Sequence, residues 1–328
     1  MKILVTGGSG FIGTFLVKAL IQGGHKVIAL DASKPNERSN YEFIQGNILN
    51  TEDIIRTAKG VDAIISLAAK HHDFGVSEEE FFAVNGQGTK NVLDCATQLG
   101  IKKFIFYSTV AVYGDHAVPP NEDTITRPIS VYGKSKLEGE KYINEWVSKD
   151  RNNQAIIIRP TVVFGPNNYA NMHSLISSIY KRKFFFVGKG DNVKSIAYVE
   201  NLVEATVFLL ERMKSGVGIY NYVDYPQLTI KDTVNIISKC LSYDIPKLTI
   251  PLGPALAATS IFDVLGKITG YNFPITAYRI KKFNTETCFI ADKIRKAGFE
   301  QRVALEDGFR RMIEWYVSKE LRKNKETK

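Results

Sequence analysis

The chain contains few cysteines, and its apolar runs are short. Its three cysteines, Cys95, Cys240 and Cys288, lie far apart in 328 residues without Cys-x-x-Cys or Cys/His metal spacing. This pattern predicts no metal site and favours a reducing compartment. The uncharged, largely apolar stretch 248–262 contains two prolines and is shorter than a membrane span needs. With no secretory signal at the start, we expect a cytoplasmic protein without a transmembrane segment.

Charge of one sign is not concentrated either. The formal net charge is +9, but lysine and arginine alternate with acids along most of the chain. No nucleic-acid partner is therefore expected. The dense basic run at 321–328 predicts a basic, disordered tail over 319–328. An apolar content of 44% supports a real core, and the length suffices for two domains.

Short apolar runs alternate with amphipathic ones in the first half of the chain. Between the runs, apolar residues from Phe11 to Leu20 recur at helical spacing. This alternation predicts an α/β fold of the Rossmann type, with a doubly wound parallel sheet. The predicted strands are 2–7, 26–30, 63–69, 103–109 and 155–160.

The rhythm changes after Gly165, and this change predicts a second, smaller and mostly helical domain. Residues 166–195 form an excursion from the sheet, after which a helix at 200–213 and a strand at 219–224 return to it. From Tyr225 onward the segments are helical with proline-containing turns. We therefore predict a sheet domain of 1–165 and 196–224 and a second domain of 166–195 and 225–318.

A glycine-rich loop joins the first strand to the first helix. Small residues there let the backbone approach a pyrophosphate at the helix N-terminus. Asp31 ends the second strand, 18 residues after the last of these glycines, where a carboxylate accepts from ribose hydroxyls and repels a 2′-phosphate. The pattern predicts a bound NAD. NADP stays possible because the cationic residues Lys34 and Arg38 lie nearby in the sequence. The glycines are Gly7, Gly10 and Gly13.

Tyr132 and Lys136 lie four residues apart and so share one face of a helix. The spacing alone arises often by chance, but here it stands among other ordered motifs. Together they resemble the extended short-chain dehydrogenase/reductases, in particular the nucleotide-sugar epimerase/dehydratase branch. The motifs are TGGSGFIG (6–13), LAA (67–69), NGQGTKNVLDCA (85–96), YSTVAVYG (107–114), YGKSK (132–136), RPTVVFGP (159–166), GKGDNVKSIAYVENL (188–202) and ADKIRKAGF (291–299).

The resemblance implies three catalytic residues. Tyr132 would be the general acid/base at the reacting hydroxyl or ketone. A free tyrosine has a pKa of about 10, and a nearby ammonium favours its phenolate. Lys136 would supply that charge and hold the nicotinamide ribose. Thr109 would hydrogen-bond the substrate oxygen.

The resemblance also implies binding residues and gives the domains their roles, NAD for the sheet domain and substrate for the second. Asn47 stands where the family commonly has aspartate, and Lys194 where it usually has arginine. Cofactor contacts are implied, besides the glycines, Asp31, Tyr132 and Lys136, for Phe11, Ile12, Asn47, Ile48, Leu67, Ala68, Ala69, Asn85, Ser108, Pro160 and Val162. Substrate contacts are implied for His71, Thr109, Asn167, Asn168, Lys194 and Arg279.

Several of these substrate positions have simpler interpretations. His71 and His72 follow the LAA motif and either line a pocket or lie on the surface. The two asparagines after Gly165-Pro166 are equally typical of a turn. Arg279 either reaches a substrate phosphate or is solvated like its neighbouring lysines.

The dehydratases of this branch carry an Asp-Glu pair after the catalytic threonine. Val110 and Ala111 occupy those places, so 4,6-dehydration is not expected. The leading prediction is C4 epimerisation of a nucleotide sugar, of the UDP-hexose or UDP-N-acetylhexosamine type, in polysaccharide biosynthesis. A 4-ketosugar reductase and, from 250–262 and 303–316, a hydroxysteroid dehydrogenase-like enzyme are the alternatives; a non-catalytic scaffold is disfavoured. Pairing through helices 85–99 and 130–149 would make a homodimer.

Overall fold

The computed structural model describes residues 1–35, 41–71, 75–245, 249–269 and 276–326. Arg38 and His72, singled out in the sequence, fall outside the described residues. The chain divides into two compact units, and each is interrupted in sequence. Unit 1 comprises Met1–Val163, Ala197–Val223 and Phe289–Arg302. Unit 2 comprises Phe164–Ile196, Asp224–Cys288 and Val303–Lys328.

The strands are short in most of the chain. They are β1 Lys2–Thr6, β2 Lys26–Asp31, β3 Glu42–Gln45, β4 Ala63–Ser66, β5 Lys103–Tyr107, β6 Gln154–Pro160, β7 Val162–Phe164, β8 Phe186–Val187, β9 Val193–Lys194, β10 Ile196–Tyr198, β11 Gly216–Tyr222, β12 Leu228–Thr229 and β13 Thr249–Ile250.

The α-helices alternate with these strands up to residue 241. They are α1 Phe11–Gln22, α2 Thr51–Ala58, α3 Glu78–Phe81, α4 Gly88–Gln98, α5 Val131–Lys149, α6 Asn171–Tyr180, α7 Val199–Leu210, α8 Ile230–Leu241, α9 Leu252–Thr269, α10 Ala277–Asn284, α11 Asp292–Lys296 and α12 Leu305–Glu326. A π-helix, Phe82–Gln87, and a 3-10 turn, Val110–Val112, complete the set.

Unit 1 contains a seven-stranded sheet with the order β11-β6-β5-β4-β1-β2-β3. All of its strand pairs are parallel. The strand order reverses between β1 and β4, so the carboxyl ends of these two strands border a crevice typical of ligand binding. Helices α2, α4 and α5 pack beside one another, and α1 packs with α7. The predicted doubly wound, Rossmann-type α/β class is confirmed.

Two details of the sheet differ from the prediction. The strand predicted at 63–69 ends at Ser66, and the residues after it form the loop that faces the crevice. Strand β3 was not predicted. It has only four residues, none of them buried, and it lies at the sheet edge, so it shows no continuous apolar run.

Unit 2 is built on helix packing and small two-stranded sheets. Helix α8 contacts both α6 and α12. Phe164 and Phe309 stack with their ring centroids 4.4 Å apart. Tyr316 donates its hydroxyl to Ser177 Oγ at 3.0 Å and packs edge-on against Tyr180. Strand β12 pairs antiparallel with β9, and β13 pairs parallel with β8.

The structure corrects the predicted boundaries at one segment. Residues 289–302 were assigned to the second domain, but they pack into unit 1. The ring of Phe299 lies edge-on to Phe208 and Tyr222, with centroids 5.5 Å and 6.0 Å away. Arg295 donates to the Val223 carbonyl at 2.8 Å. These contacts join sequence-distant residues, which periodicity does not reveal.

The predicted disordered tail is also corrected. Helix α12 continues through Glu326, so most of 319–328 is helical. The helix is fixed by its buried residues Phe309, Met312 and Ile313. The following residues are largely straight-chain side chains with good helix propensity, so nothing ends the helix earlier. None of the helices in the described parts of the chain is long and apolar enough to cross a membrane.

Candidate active site

Thr109 lies just beyond the carboxyl end of β5. It precedes the 3-10 turn Val110–Val112, and its Oγ1 accepts from the Ala111 N–H at 3.1 Å. Helix α5 begins at Val131 because Ser130 caps it, accepting from the Gly133 N–H at 3.1 Å. This start places Tyr132 in the first turn of the helix and Lys136 one turn later, as the sequence spacing predicted.

Glycines let α5 approach its neighbours closely. A Cβ on Gly133 would lie 2.6 Å from the Ala111 carbonyl oxygen. A Cβ on Gly139 would lie 2.8 Å from the Phe106 ring and 2.9 Å from the Asn85 carbonyl oxygen. Helix α5 is therefore held directly against the strand end that carries Thr109.

Lys136 is 1% exposed, an unusual situation for an ammonium group. Its Nζ lies 4.2 Å from the centroid of the Phe106 ring, a cation–π contact. Burial lowers the pKa of Lys136 to about 7, while the carboxylate of Glu140 opposes that shift. The charge on this lysine is therefore sensitive to its neighbours near neutral pH. Tyr132 packs against Phe81, with ring centroids 6.2 Å apart.

Behind Lys136 lies a buried ion pair between Glu140 and Arg159. Both side chains are at most 4% exposed. Arg159 Nε donates to Glu140 Oε1 at 2.9 Å and Nη2 to Oε2 at 2.6 Å, a bidentate geometry. Ser108 Oγ donates to the same carboxylate at 2.5 Å. The pair thus ties α5 to the ends of β5 and β6.

The network continues through Tyr113. Arg159 Nη1 donates to the Tyr113 hydroxyl at 2.9 Å, which donates to Asn221 Oδ1 at 2.7 Å. Sequence reasoning missed Glu140 and Arg159. The available signal was a third polar residue at four-residue spacing, since Tyr132, Lys136 and Glu140 share one helix face.

Asn85 lies in the π-helix and is completely buried. Its Nδ2 donates to the Lys70 carbonyl and to Ser135 Oγ, both at 2.9 Å, and its Oδ1 accepts from the Lys70 N–H at 2.9 Å. The side chain thus fastens the loop after β4 to helix α5. Its predicted cofactor contact, like that of Ser108, stays a prediction, because the structure uses both side chains for positioning.

The glycine loop forms a close cradle at the N-terminus of α1. Gly7 has φ +75°, and a Cβ there would lie 2.6 Å from Ala68 N. A Cβ on Gly13 would lie 2.2 Å from the Gly7 carbonyl oxygen. Gly10 precedes the helix without a side-chain cap, and Ser9 Oγ is buried with no hydrogen-bond partner in the described ranges. Such a loop fits the diphosphate of a dinucleotide.

Asp31 lies beside this cradle. Its carboxylate accepts from the Ser9 N–H and the Ser33 N–H, each at 3.0 Å. A carboxylate has further lone pairs, which suit ribose hydroxyls. Asn47 is exposed, and its Oδ1 accepts from the Leu49 N–H at 3.0 Å. The residues of this edge therefore fit NAD.

The remaining predicted residues of unit 1 border the same edge of the sheet. Most stand at the first turn of α1, after β3 or β4, or at the end of β6. Val162 is 46% exposed and His71 is exposed, whereas Ile48 and Pro160 are buried. The positions are Phe11, Ile12, Ile48, Leu67, Ala68, Ala69, His71, Pro160 and Val162.

The predicted substrate residues of unit 2 serve local structure. Asn167 has a left-handed backbone, φ 68°, and Asn168 Oδ1 accepts from the Ala170 N–H at 2.7 Å. Lys194 Nζ donates to the carbonyl of Lys282 at 2.8 Å and to that of Thr285. Burial and the charge of Lys282 lower the pKa of Lys194 to about 8. Arg279 lies in α10, and its side chain is outside the described set.

Comparison with known proteins agrees with this site. Residues 3–222 match the model of the NAD dependent epimerase/dehydratase family. An N-acetyl-α-D-glucosaminyl-diphospho-ditrans,octacis-undecaprenol 4-epimerase of Escherichia coli O157:H7 is 35% identical, over 96% of this chain and 95% of that protein. A decarboxylating sterol-4-α-carboxylate 3-dehydrogenase of Mus musculus is 25% identical, over 99% of this chain and 92% of that protein.

A solved structure has the same fold. The UDP-glucuronic acid 4-epimerase of Bacillus cereus in complex with NAD superposes with a TM-score of 0.78 at 24% identity, covering 97% of this chain and 99% of that one. The predicted enzyme class and the NAD cofactor are confirmed by the family match. By sequence and by fold, the chain belongs to the NAD-dependent epimerase/dehydratase family.

Proposed function

We propose that the protein is a 4-epimerase that inverts C4 of a sugar joined to a diphosphate. The observation that carries this proposal is the buried Lys136 on the helix face of Tyr132, with Thr109 at the adjoining strand end. Val110 and Ala111 follow Thr109 and have no group that transfers a proton. The site therefore has one acid/base and suits oxidation and re-reduction at one carbon.

In this mechanism Tyr132 accepts the proton of the C4 hydroxyl and later returns it to the C4 oxygen. The charge of Lys136 stabilises the phenolate, and the hydroxyl of Thr109 holds the substrate oxygen. NAD, when bound, supplies the hydride acceptor and donor for C4. The sugar turns as its 4-ketone between the two transfers, so the cofactor is regenerated in each cycle.

The ion pair of Glu140 and Arg159 acts through Lys136. Glu140 is one turn beyond the lysine, and its carboxylate raises the pKa that burial lowers. Its bond to Ser108 also fixes the strand end next to Thr109. Glu140 is thus a positioning residue for the acid/base pair.

For the carrier of the sugar, a polyprenyl diphosphate is the first candidate. The relative with 35% identity over nearly both whole chains is named for such a substrate. The geometry of Lys194 agrees, because this lysine donates to main-chain carbonyls instead of standing ready to grip a nucleotide diphosphate. The nucleotide-linked sugar expected from the sequence is the alternative that the assay must compare.

The test uses purified protein without added cofactor. It is incubated in parallel with detergent-solubilised polyprenyl-diphospho-N-acetylglucosamine and with UDP-N-acetylglucosamine, and the C4 epimers are separated. Conversion of the lipid-linked sugar, lost in Tyr132→Phe, supports the proposal. Conversion of the UDP-sugar alone would support the epimerase activity and show that the carrier is a nucleotide instead of a polyprenyl chain. If neither is converted, even with added NAD, the epimerase proposal is wrong, and 4-ketosugars and sterols with NAD(P)H become the substrates to test.

The proposal extends to the roles of the two units, the location of the protein and its oligomeric state. Unit 1 binds NAD and unit 2 binds the substrate. The protein works in the cytoplasm, in polysaccharide biosynthesis; its three cysteines are all free, which fits a reducing compartment. It pairs as a homodimer through α4 and α5, which lie side by side in unit 1. Light scattering after size exclusion checks the last point, and a monomer would contradict it.

A further inference from the structure

We propose that unit 2 carries a docking surface for a bilayer that contains anionic lipid. The surface consists of the segment Lys181–Phe186 and the first half of α9. Its purpose rests on the proposed function, since the polyprenyl chain of a lipid-linked sugar lies in a membrane. Its existence can be tested without any sugar.

The first observation is the segment KRKFFF that follows α6. Lys181, Arg182 and Lys183 are all exposed. Phe185 is 37% exposed, while the flanking rings of Phe184 and Phe186 pack edge-on against each other at 5.1 Å. Three cations beside an exposed aromatic ring suit the boundary between lipid headgroups and acyl chains.

The second observation is continuity with a sequence-distant apolar helix. Strand β8, the end of this segment, pairs with β13, with Phe186 opposite Thr249. The Gly188 N–H donates to the Ile250 carbonyl at 2.9 Å. Only Pro251 separates the end of β13 from the first residue of α9, Leu252. The basic–aromatic segment and the start of α9 therefore form one surface.

The first half of helix α9 exposes mostly small and apolar residues, together with the uncharged Ser260. It has no charged residue from Leu252 to Phe262. Ile261 is 63% exposed, and Gly253, Pro254, Ala257 and Ala258 are exposed as well. A surface helix of a water-soluble protein normally turns polar residues outward, so an uncharged, apolar outer face indicates a non-aqueous contact.

The charges around this surface indicate what it binds. Residues 166–190 contain four cations, Lys181, Arg182, Lys183 and Lys189, and no acid. Residues 245–285 contain five cations and one acid, Asp263. Helix α10, which packs on α9, exposes two of those cations, Lys281 and Lys282. An uncharged first half of a helix, bracketed by segments in which cations predominate, is complementary to an anionic bilayer.

The experiment is flotation of the full-length protein with vesicles of phosphatidylcholine alone or mixed with phosphatidylglycerol. We expect binding to the mixed vesicles that weakens as salt is raised. Lys181→Gln with Lys183→Gln should weaken it about 25-fold, since each cation near an anionic surface contributes about fivefold. Phe185→Asp with Ile261→Asp should abolish it, because both side chains would have to enter the interface.

Matched variants on unit 1 serve as controls. Lys18 and Lys26 are exposed lysines, and Ile125 is 68% exposed. Lys18→Gln with Lys26→Gln, and separately Ile125→Asp, should leave vesicle binding unchanged. Equal losses in these controls would show that binding follows net charge or general apolarity, and the proposed surface would be wrong. Failure of the unchanged protein to float with the mixed vesicles would overturn it as well.

Activity separates this inference from the proposed function. Lys181→Gln with Lys183→Gln should epimerise detergent-solubilised lipid-linked sugar as the unchanged protein does, but act more slowly on sugar embedded in mixed vesicles. Vesicle binding without any epimerisation would support the docking surface and contradict the proposed function. Epimerisation in detergent without vesicle binding would support the proposed function and contradict the docking surface.

Discussion

Helix α5 of unit 1 and the motif loops of unit 2 use their polar side chains differently. In unit 1, Glu140 joins Arg159 and Ser108, residues 19 and 32 positions away, in a fully buried network. In unit 2, Asn168 bonds a backbone N–H two residues on, and Lys194 bonds main-chain carbonyls. The first arrangement holds the proposed acid/base residues in place, and the second holds loops in shape.

This difference indicates where substrate choice resides. Proton transfer needs a few side chains in fixed positions, so a family keeps them in recognisable motifs. The motif residues of unit 2 are largely occupied with their own backbone. Under the proposed function, selection of the carrier is then expected of surfaces outside the motifs, such as the segment Lys181–Phe186 and α9.

The largest effect is expected from Lys136→Met, which tests the chemical side of this comparison. Without the ammonium the phenolate of Tyr132 loses its charge partner, and epimerisation should fall by about 100- to 10,000-fold. The variant should nevertheless melt at a higher temperature near pH 6, because it removes a buried cation. Steady-state kinetics and thermal melts measure the two effects.

The pH dependence of that stability gain follows from the pKa of Lys136. Burial lowers it to about 7 in the folded state from the ordinary lysine value of 10.5, so the unfolded chain binds more protons between those values. The cost of the buried ammonium is therefore full below pH 7 and disappears as the pH rises toward 10.5. The difference between variant and unchanged protein should shrink over that range. A variant that is less stable at every pH would contradict the burial argument.

Glu140→Gln tests whether the ion pair serves function or only stability. Breaking a buried pair from one side costs about 3–5 kcal/mol, because Arg159 stays charged and buried. The variant also removes the carboxylate that raises the pKa of Lys136, so the fall of kcat with rising pH should move to lower pH. Denaturant unfolding and a kcat–pH profile measure both.

The double variant Glu140→Met with Arg159→Met is the matched control. It removes both charges, and such replacements are often neutral for stability. The shift of the pH profile should persist in it, since the carboxylate is still missing. Recovery of the original profile together with stability would show that Glu140 has a structural role only.

Much of this organisation was predictable from sequence because it follows from short-range patterns. Apolar runs gave the central strands, and the Gly7, Gly10, Gly13 and Asp31 pattern gave the cofactor edge. Tyr132 and Lys136 stood out by their helical spacing, and the family resemblance implied their roles. Four-residue spacing extended once more would have indicated Glu140 too.

The parts that were not predicted depend on long-range contacts or on side chains that serve the backbone. Strand β3 is an edge strand without a buried residue, and residues 289–302 return to unit 1 through Phe299. The partner of Glu140 lies on another element, and sequence spacing does not indicate such a pairing. Sequence spacing likewise does not indicate the two carbonyls that accept hydrogen bonds from Lys194.

Lys194→Gln examines the other side of the comparison. Because Nζ already donates to the carbonyls of Lys282 and Thr285, we expect KM to change little. The C-terminal end of α10 should instead loosen, and its amides should exchange hydrogen faster. An ammonium bound to a substrate diphosphate would be worth about 1.5–3 kcal/mol, so its loss would raise KM tenfold or more. Lys189→Gln, an exposed lysine in the same loop, is the control.

The smallest effect is expected from Asn168→Ala. Its Oδ1 bond to the Ala170 N–H precedes α6, and loss of such a bond costs about 1 kcal/mol. Asn167→Gly should be nearly neutral, because glycine adopts the left-handed backbone of that turn, φ 68°, without penalty. Denaturant unfolding and steady-state KM on the same substrate distinguish a loop-shaping role from substrate binding. A rise in KM of Asn168→Ala with unchanged stability would place this asparagine with Tyr132 and Thr109 as a residue that contacts substrate, and the contrast between the two units would then fail at that position.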